Sequence, residues 1–525
     1  MPLSLKIPAL VDNPLILAET RPQKISQFLS KLPVSSPLDA AAALLEEMEI
    51  LNRQKVAPDA RIKALETYRP VLIDITELLA KQYGGATLPL SQSAKKHAAA
   101  AEALWLELGY GYKLALIDQQ NKLFSISGSK TIALVLQRAI EALSQLAMVY
   151  YQTYVTIPGS VWGDMNQLYF YAVQQSLQEI DVPIQGQLIT STISLAYKQA
   201  LLMALADPQH LIPSDIKQVA DYIARHARYA SLQGLGTFDN PAGIFLVNLD
   251  QDKPPIPYVK NSEETDASSD ILLVTIDLAR VVHKHLQLLQ TGKLPPELPA
   301  NATDPRYQDM LTYLIKHWGA PPKRIFNRSR KSDGVELGIG ITAAHYFLNG
   351  EQPYVEPPSL DNVTEISAHT AVGVAPAQQK IKASRWQVIN ISAGGMALRK
   401  FPNSEANVRV GDLLSIKNGS AAPWAVGVIR WASNDEQQIE IGAQLISPEA
   451  KAAGARASHQ SEFEPVLMLI GLPALKQAAS IVGTAGIYSP ARVLELDEDG
   501  KISRIMITKL VERTGSFERF QYSHL

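Results

Sequence analysis

From about Ser36 to Arg228, apolar residues return every three or four positions and strand-like alternation is rare. That period lays one apolar stripe along each segment and predicts helices. Ser36 or Asp39 stands where a cap is expected, ahead of the run from Ala40 to Lys55. Pro58 and Asp59 open a second segment, in which Ile62, Leu65, Tyr68, Leu72 and Ile75 share a face until Gly84 and Gly85 stop it. Further helical stretches fall near 91–117, 130–155, 160–180, 189–206 and 214–230, divided by Gly, Pro or Asp. Short connections between helices of this length favour antiparallel neighbours, so the pattern predicts a bundle or an irregular helical-hairpin array. Gly109-Tyr110-Gly111-Tyr112 suggests a tetratricopeptide repeat, but no fixed period recurs along the chain.

The texture then changes twice. Gly243–Leu249 and Ile271–Ile276 read as strands, the second running into a helix, with a polar and acidic loop at Asn261–Asp270 between them. Lys293–Pro305 is proline-rich and reads as a linker, followed by a helix around 305–318. Beyond Pro321 the chain is β-rich: Val335–Ile341, Trp386–Ile391, Gly395–Arg399, Leu413–Ile416, Trp424–Trp431 and Ile439–Leu445 are short apolar runs between turn residues. Evenly spaced short strands predict a closed barrel or a sandwich. Residues 350–384 hold two proline-rich patches and read as an inserted loop. The last stretch reads as a second small barrel or as further strands on the first. The expected fold is therefore multidomain α+β: a helical domain at 1–234, an α/β connecting region and linker at 235–320, an antiparallel β-barrel at 321–450, and a β-rich segment at 451–525.

Composition narrows the chemistry. The 525 residues are 46% hydrophobic and 19% charged with a net charge of −2, which fits folded domains and argues against a general DNA or RNA binder. With no cysteine, disulfides, thiolate catalysis and cysteine-ligated metal sites are excluded. Pro2, Pro8, Asp12 and Pro14 interrupt any apolar leader, and no stretch approaches 18 uninterrupted apolar residues, so neither a signal peptide nor a spanning helix is expected. A cytoplasmic protein is the expectation.

Two short motifs carry candidate chemistry. Lys323, Arg324, Arg328 and Arg330 cluster just ahead of the first barrel strand. Guanidinium groups are planar and permanently charged, and they bind phosphate or a guanine edge through paired hydrogen bonds. A charge run taken alone also reads as a solvated basic turn. The second motif, Asn390-Ile-Ser392-Ala-Gly-Gly395, joins two predicted strands. Its Asn and Ser can pair with a base edge, while the glycines permit close approach. A plain turn would explain it equally.

Together, Arg324-x-x-x-Arg328 and Asn390-x-Ser392-x-x-Gly395 resemble the signature of the PilZ family of cyclic di-GMP receptors, over about 321–447. The stretches Val410–Ile416, Trp424–Trp431 and Ile441–Leu445 also resemble its strands. The resemblance implies a β-barrel that binds cyclic di-GMP through Arg324, Arg328, Asn390 and Ser392, with Gly395 as the turn glycine and Lys323 and Arg330 as additional contacts. No nucleophile–base constellation, paired-His motif or Gly-x-Ser-x-Gly elbow appears in the sequence, so no catalytic residue, metal or other cofactor is expected. The chain departs from the family in one respect: 62 residues separate Arg328 from Asn390, about twice the usual spacing. An insertion at 350–384 accounts for the excess.

Other motifs are weaker. Gly338-x-Gly340-x-x-Ala343 follows a strand as a truncated dinucleotide fingerprint does, but no repeating βαβ pattern surrounds it. His345 reads as satisfied or half-exposed rather than as a ligand. Ser127-Gly128-Ser129-Lys130-Thr131 looks like the end of a phosphate-binding loop, yet Ser129 stands where glycine is required, and helix capping by Ser127 or Ser129 explains it. His283 and His285 are two apart and face different sides. The aromatic residues Tyr150, Tyr151, Tyr154, Trp162, Tyr169, Phe170 and Tyr171 read as core packing. The expected function is a non-enzymatic effector whose helical domain contacts a protein partner. The alternatives are an adaptor with a degenerate, non-binding barrel, or an enzyme with its site in 235–320.

Overall fold

A computed structural model describes the chain except for residues 1–2, 121–127, 185–188, 237–239, 260–264, 320–328, 331–332, 357–379, 393, 420, 436–437, 459 and 472–477. Packing divides it into two compact units, Met1–Ala86 with Leu90–Lys323, and Thr87–Pro89 with Arg324–Leu525.

In the first unit the periodic stretches fold into helices. After a short α1 (Pro22–Leu29) come α2 (Pro37–Asn52), α3 (Pro58–Tyr83), α4 (Gln92–Gln120), α5 (Ser129–Thr153), α6 (Gly159–Gln174), α7 (Ile193–Leu205) and α8 (Pro213–His226). Leu65, Leu72 and Ile75 are buried on the predicted face of α3. Gly111 sits within α4 because a β-carbon there would come 2.6 Å from Leu65 Cδ2, so α3 and α4 approach closely. Charges are buried among these helices but partnered: Arg138 donates to Glu66 at 3.2 Å and Glu141 at 3.3 Å, Arg69 donates to Glu141 at 2.7 Å, and Tyr112 donates to Glu66. Such groups stay inside only when paired. The aromatic cluster packs as expected, with Tyr154, Trp162 and Tyr169 buried and Tyr169 stacked on Tyr197 at 4.3 Å.

One expectation changes here. At the start of α5 the cap residue is Gly128, with no side-chain cap bond, and Ser129 is already helical; Ser127 lies outside the described residues. α5 is also long and apolar enough to cross a membrane by length and composition, although its sequence has no uninterrupted apolar run; 67% of its most apolar window is buried in the protein. It packs against α4, α6 and α7.

The α/β stretch belongs to this same unit. A two-stranded hairpin, β1 (Val182–Pro183) with β2 (Thr190–Ser191), is followed by β3 (Ser231–Gly234), β4 (Ile244–Asn248), β5 (Ile256–Pro257) and β6 (Asp270–Val274), forming an antiparallel sheet in the order β3-β6-β4-β5. α9 (Ile276–Gln290) and α10 (Pro305–Gly319) pack on each other. The proline-rich 293–305 is not a free linker: Leu298 and Ala302 are buried, and Ala300–Thr303 forms a short 3₁₀ turn. Asn166 of α6 donates to Gln251 O at 2.7 Å, and Trp318 of α10 donates to Leu202 O at 3.1 Å. These bonds tie the stretch to the helices.

The second unit contains two barrels. Its strands begin with β7 (Ser329–Arg330) and β8 (Gly334–Ile339), and α11 (Ile341–Leu348) follows. Next come β9 (Ser384–Ser392), β10 (Gly395–Lys400), β11 (Leu413–Lys417), β12 (Ala425–Asp435) and β13 (Gln438–Ser447). The ring β8-β9-β10-β13-β12-β11 closes because β9 pairs both β8 and β10, while β7 adds to the far end of β9. Each of the six predicted barrel runs contains a strand, although the first, Val335–Ile341, stops being strand after Ile339 and Ile341 already opens α11. Most of the expected loop at 350–384, residues 357–379, lies outside the described residues.

The last segment is a second closed barrel. Its strands are β14 (Ala450–Ala457), β15 (Glu464–Leu469), β16 (Ser480–Thr484), β17 (Val493–Glu498), β18 (Lys501–Arg513) and β19 (Phe517–His524), ordered β14-β15-β16-β19-β18-β17 and closed by β14 on β17. Leu413, Val426, Val428 and Ile446 of the first barrel pack with Leu467, Leu469, Val482 and Phe517 of the second, so one core runs through both. Ala344 of α11 lies in that core.

Candidate functional site

The site grows from the turn between β9 and β10. Asn390 pairs with Ala397 on β10 and with Arg330 on β7, and Ile391 pairs with Ser329. The two residues that directly follow Arg328 are therefore strand partners of the residues that open the second motif, despite the 62-residue separation. Lys323, Arg324 and Arg328 lie outside the described residues, and Arg330 enters through its backbone pairing alone. Ser392 donates from Oγ to Gly395 O at 3.2 Å and closes the turn, which is tied to β13 by Leu445 N donating to Gly394 O at 3.1 Å. Gly395 is required by space: a β-carbon there would overlap the carbonyl oxygen of Ala443 on β13.

Asn390, Ser392 and Gly395 line one solvent-facing hollow of about 270 Å³ together with Met396, Arg430, Trp431 and Gln444. The last three were not singled out from the sequence. Gln444 carried no signal there; Arg430 and Trp431 did, as the arginine and the closing one of two tryptophans in the run WAVGVIRW. They reach the hollow through a bulge. Ile429 pairs with Ala443 and Trp431 with Gly442, so Arg430 is an extra residue on β12. A bulge of this kind re-aims a side chain. Arg430 donates from Nε to Gln444 Oε1 at 2.6 Å and from Nη1 to Glu512 on β18. The Trp431 indole lies over Gly442, where a β-carbon would displace it. The hollow thus offers a carboxamide, a hydroxyl, a guanidinium and an indole face, which suits an anionic ligand with a flat heteroaromatic base.

The weaker motifs resolve differently. His345 is buried in α11, at 2% exposure, rather than half-exposed; its Nε2 has no partner among the described residues, its ring meets Tyr354 edge-on at 5.6 Å, and burial lowers its pKa. Gly338–Gly340 do precede a helix, but β8 lies in an antiparallel barrel, so the dinucleotide-fold context is missing. His285 is buried and hydrogen-bonded to Tyr222 at 2.9 Å, whereas His283 is exposed. Among the described residues, no cluster of three or more His, Asp or Glu side chains is placed to hold a metal ion.

Comparison with known proteins covers nearly the whole chain. Three family models match in succession: "Cyclic-di-GMP receptor FimW, N-terminal domain" over residues 23–238, "Cyclic-di-GMP receptor FimW, middle PilZ domain" over 244–373 and 359–452, and "FimW C-terminal beta-barrel domain" over 450–525. A relative named "Cyclic-di-GMP receptor FimW", from Pseudomonas aeruginosa, is 23% identical over 574 aligned positions, covering 99% of this chain and 93% of its own length. The likeness therefore extends through the helical region, for which the sequence motifs suggested no family. The match to the middle domain begins at 244, whereas packing places β4, β6, α9 and α10 with the helices. Sequence likeness and compactness follow different boundaries, and the hydrogen bonds of Asn166 and Trp318 explain the second.

Proposed function

On the premise that this chain belongs to the PilZ-domain family of cyclic-di-GMP receptors, we propose that it is a bacterial cyclic-di-GMP effector acting in the cytoplasm. The ligand is held by Arg324 and Arg328 at its phosphates and guanine edges and by Asn390 and Ser392 at a guanine, with Gly395 as the turn glycine. Lys323 and Arg330 add further contacts. In this reading residues 321–450 sense the nucleotide, 451–525 extend the sensor, 235–320 connect, and 1–234 carry occupancy to a protein partner. The output is a surface behaviour linked to pili, flagella or exopolysaccharide. No catalytic role is assigned to any residue.

The observation that supports this most is the pairing of Ser329 and Arg330 with Ile391 and Asn390. It sets the chain next to Arg328 beside a turn whose Asn, Ser and Gly line one hollow. The positive cluster at 323–330 suits a dianionic ligand, which neutralises its charge, and occupancy biases the chain between a free and a partner-bound arrangement. The ligand shifts the partner equilibrium only by its differential affinity for the two arrangements.

Calorimetric titration of the full chain with cyclic di-GMP tests the reading. Saturable heat is expected, lost in Arg324→Ala and Arg328→Ala and weakened in Asn390→Ala. Heat that is absent from the unmodified chain would leave an adaptor with a non-binding barrel instead.

A further inference from the structure

We propose that Arg430 is an additional ligand-contacting arginine of this site and that Glu512, on the second barrel, is its positioning residue; the proposal rests on the ligand reading above. Arg430 lines the same hollow as Asn390 and Ser392, placed there by the β12 bulge. Its guanidinium has five N–H donors, and the bonds to Gln444 and Glu512 occupy two of them. With a side chain 36% exposed, it remains reachable by an anion from solvent.

Glu512 is well suited to aim it. Its side chain is only 17% exposed, and it pairs across the strand with Arg519, whose Nε is fixed by a 2.9 Å bond to Ser480 Oγ. The carboxylate thus sits between two arginines on a bulged stretch of β18, where the register shifts between Leu510 and Glu512. Holding a long cation in its bound geometry lowers the ordering cost when ligand arrives. A strut between barrels is not otherwise needed at this point. The shared core already joins them, and Ser516 Oγ donates to Asp412 Oδ1 at 2.6 Å. The C-terminal barrel is then part of the nucleotide site, although no residue of the two sequence motifs lies in it.

The test is calorimetric titration of the full chain with cyclic di-GMP over a series of salt concentrations, for the unmodified protein, Arg430→Ala, Glu512→Ala and the double variant. Arg430→Ala is expected to weaken binding roughly tenfold or more, as loss of a charged hydrogen bond to phosphate does, and to flatten the salt dependence. Glu512→Ala is expected to weaken binding about threefold, and the double variant to bind no more weakly than Arg430→Ala, because Glu512 acts through Arg430. Unchanged affinity in Arg430→Ala, or losses that add in the double variant, overturns the proposal. If either alanine variant fails to fold, Arg430→Lys and Glu512→Gln replace them. Lysine keeps the charge but cannot fork onto an anion, so its affinity must also fall. An unmodified chain without any binding heat sinks the ligand reading itself, whereas binding sensitive to Asn390→Ala but not to Arg430→Ala removes only this assignment.

Discussion

The two barrels of the second unit are built alike and lined differently. Each closes with six antiparallel strands, and one apolar core runs through both. Both place an aromatic ring over a strand glycine, Trp431 over Gly442 in the first and Tyr354 over Gly454 in the second. In the first barrel the ring comes from a neighbouring strand and lines the hollow beside Asn390 and Ser392. In the second it comes from the chain after α11, and Tyr354 OH donates to Asp497 at 2.8 Å, so the ring seals a seam. The second barrel also has a hollow, of about 170 Å³, but there the guanidinium of Arg492 shares the lining with the carboxylate of Glu464, which disfavours an anion; Thr484 donates to Glu464 at 2.6 Å and Arg492 donates to Ile487 O at 2.8 Å. A concave surface becomes a candidate site through what its side chains can still bond, not through volume.

Five substitutions probe that contrast. The largest effect is expected from Phe517→Ala, in the core common to both barrels. It should cost about 3–5 kcal/mol and lower the stability of the two barrels together; native-state hydrogen exchange resolved to each barrel would expose a loss restricted to the second. Next, Gly442→Ala and Gly454→Ala should each cost about 1–3 kcal/mol through overpacking against the ring above. Only Gly442→Ala should also weaken cyclic di-GMP in the titration, and equal weakening by both would erase the division of labour. Tyr354→Phe should then cost about 1 kcal/mol, one hydrogen bond, with nucleotide affinity unchanged.

The smallest effect concerns pH at the junction. Burial raises the pKa of Asp412, against the bond from Ser516 that lowers it. A raised carboxyl contributes stability that is fully present below its unfolded pKa and is lost as pH rises through the folded value. Asp412→Asn should therefore flatten the decline in stability above the ordinary aspartate range, read as urea midpoints at a series of pH values. A decline equally steep in the variant would place the titration elsewhere.

What could be read from the sequence follows from the range of the forces involved. Helical periodicity in α3 and short apolar runs such as Leu413–Ile416 are local signals, so both fold classes were legible. So was the turn Asn390–Gly395, because its residue types suit its own backbone. β14 was not, since its sequence AKAAGARA has little strand preference; it is a strand because β15 and β17 supply its partners. The proline-rich 293–305 looked like a linker because burial of Leu298 and Ala302 depends on elements distant in the chain.

The chain alone determined that a helical region precedes a barrel, and that a basic cluster at 323–330 and an Asn-Ser-Gly motif at 390–395 both belong to the start of that barrel. Only the tertiary structure decided that β7 lies along β9, that a bulge turns Arg430 into the hollow, and that a glutamate from a second barrel meets it there. Periodicity and turn chemistry are written within a few neighbouring residues. Strand register and the direction of a bulged side chain are settled by partners dozens of positions away.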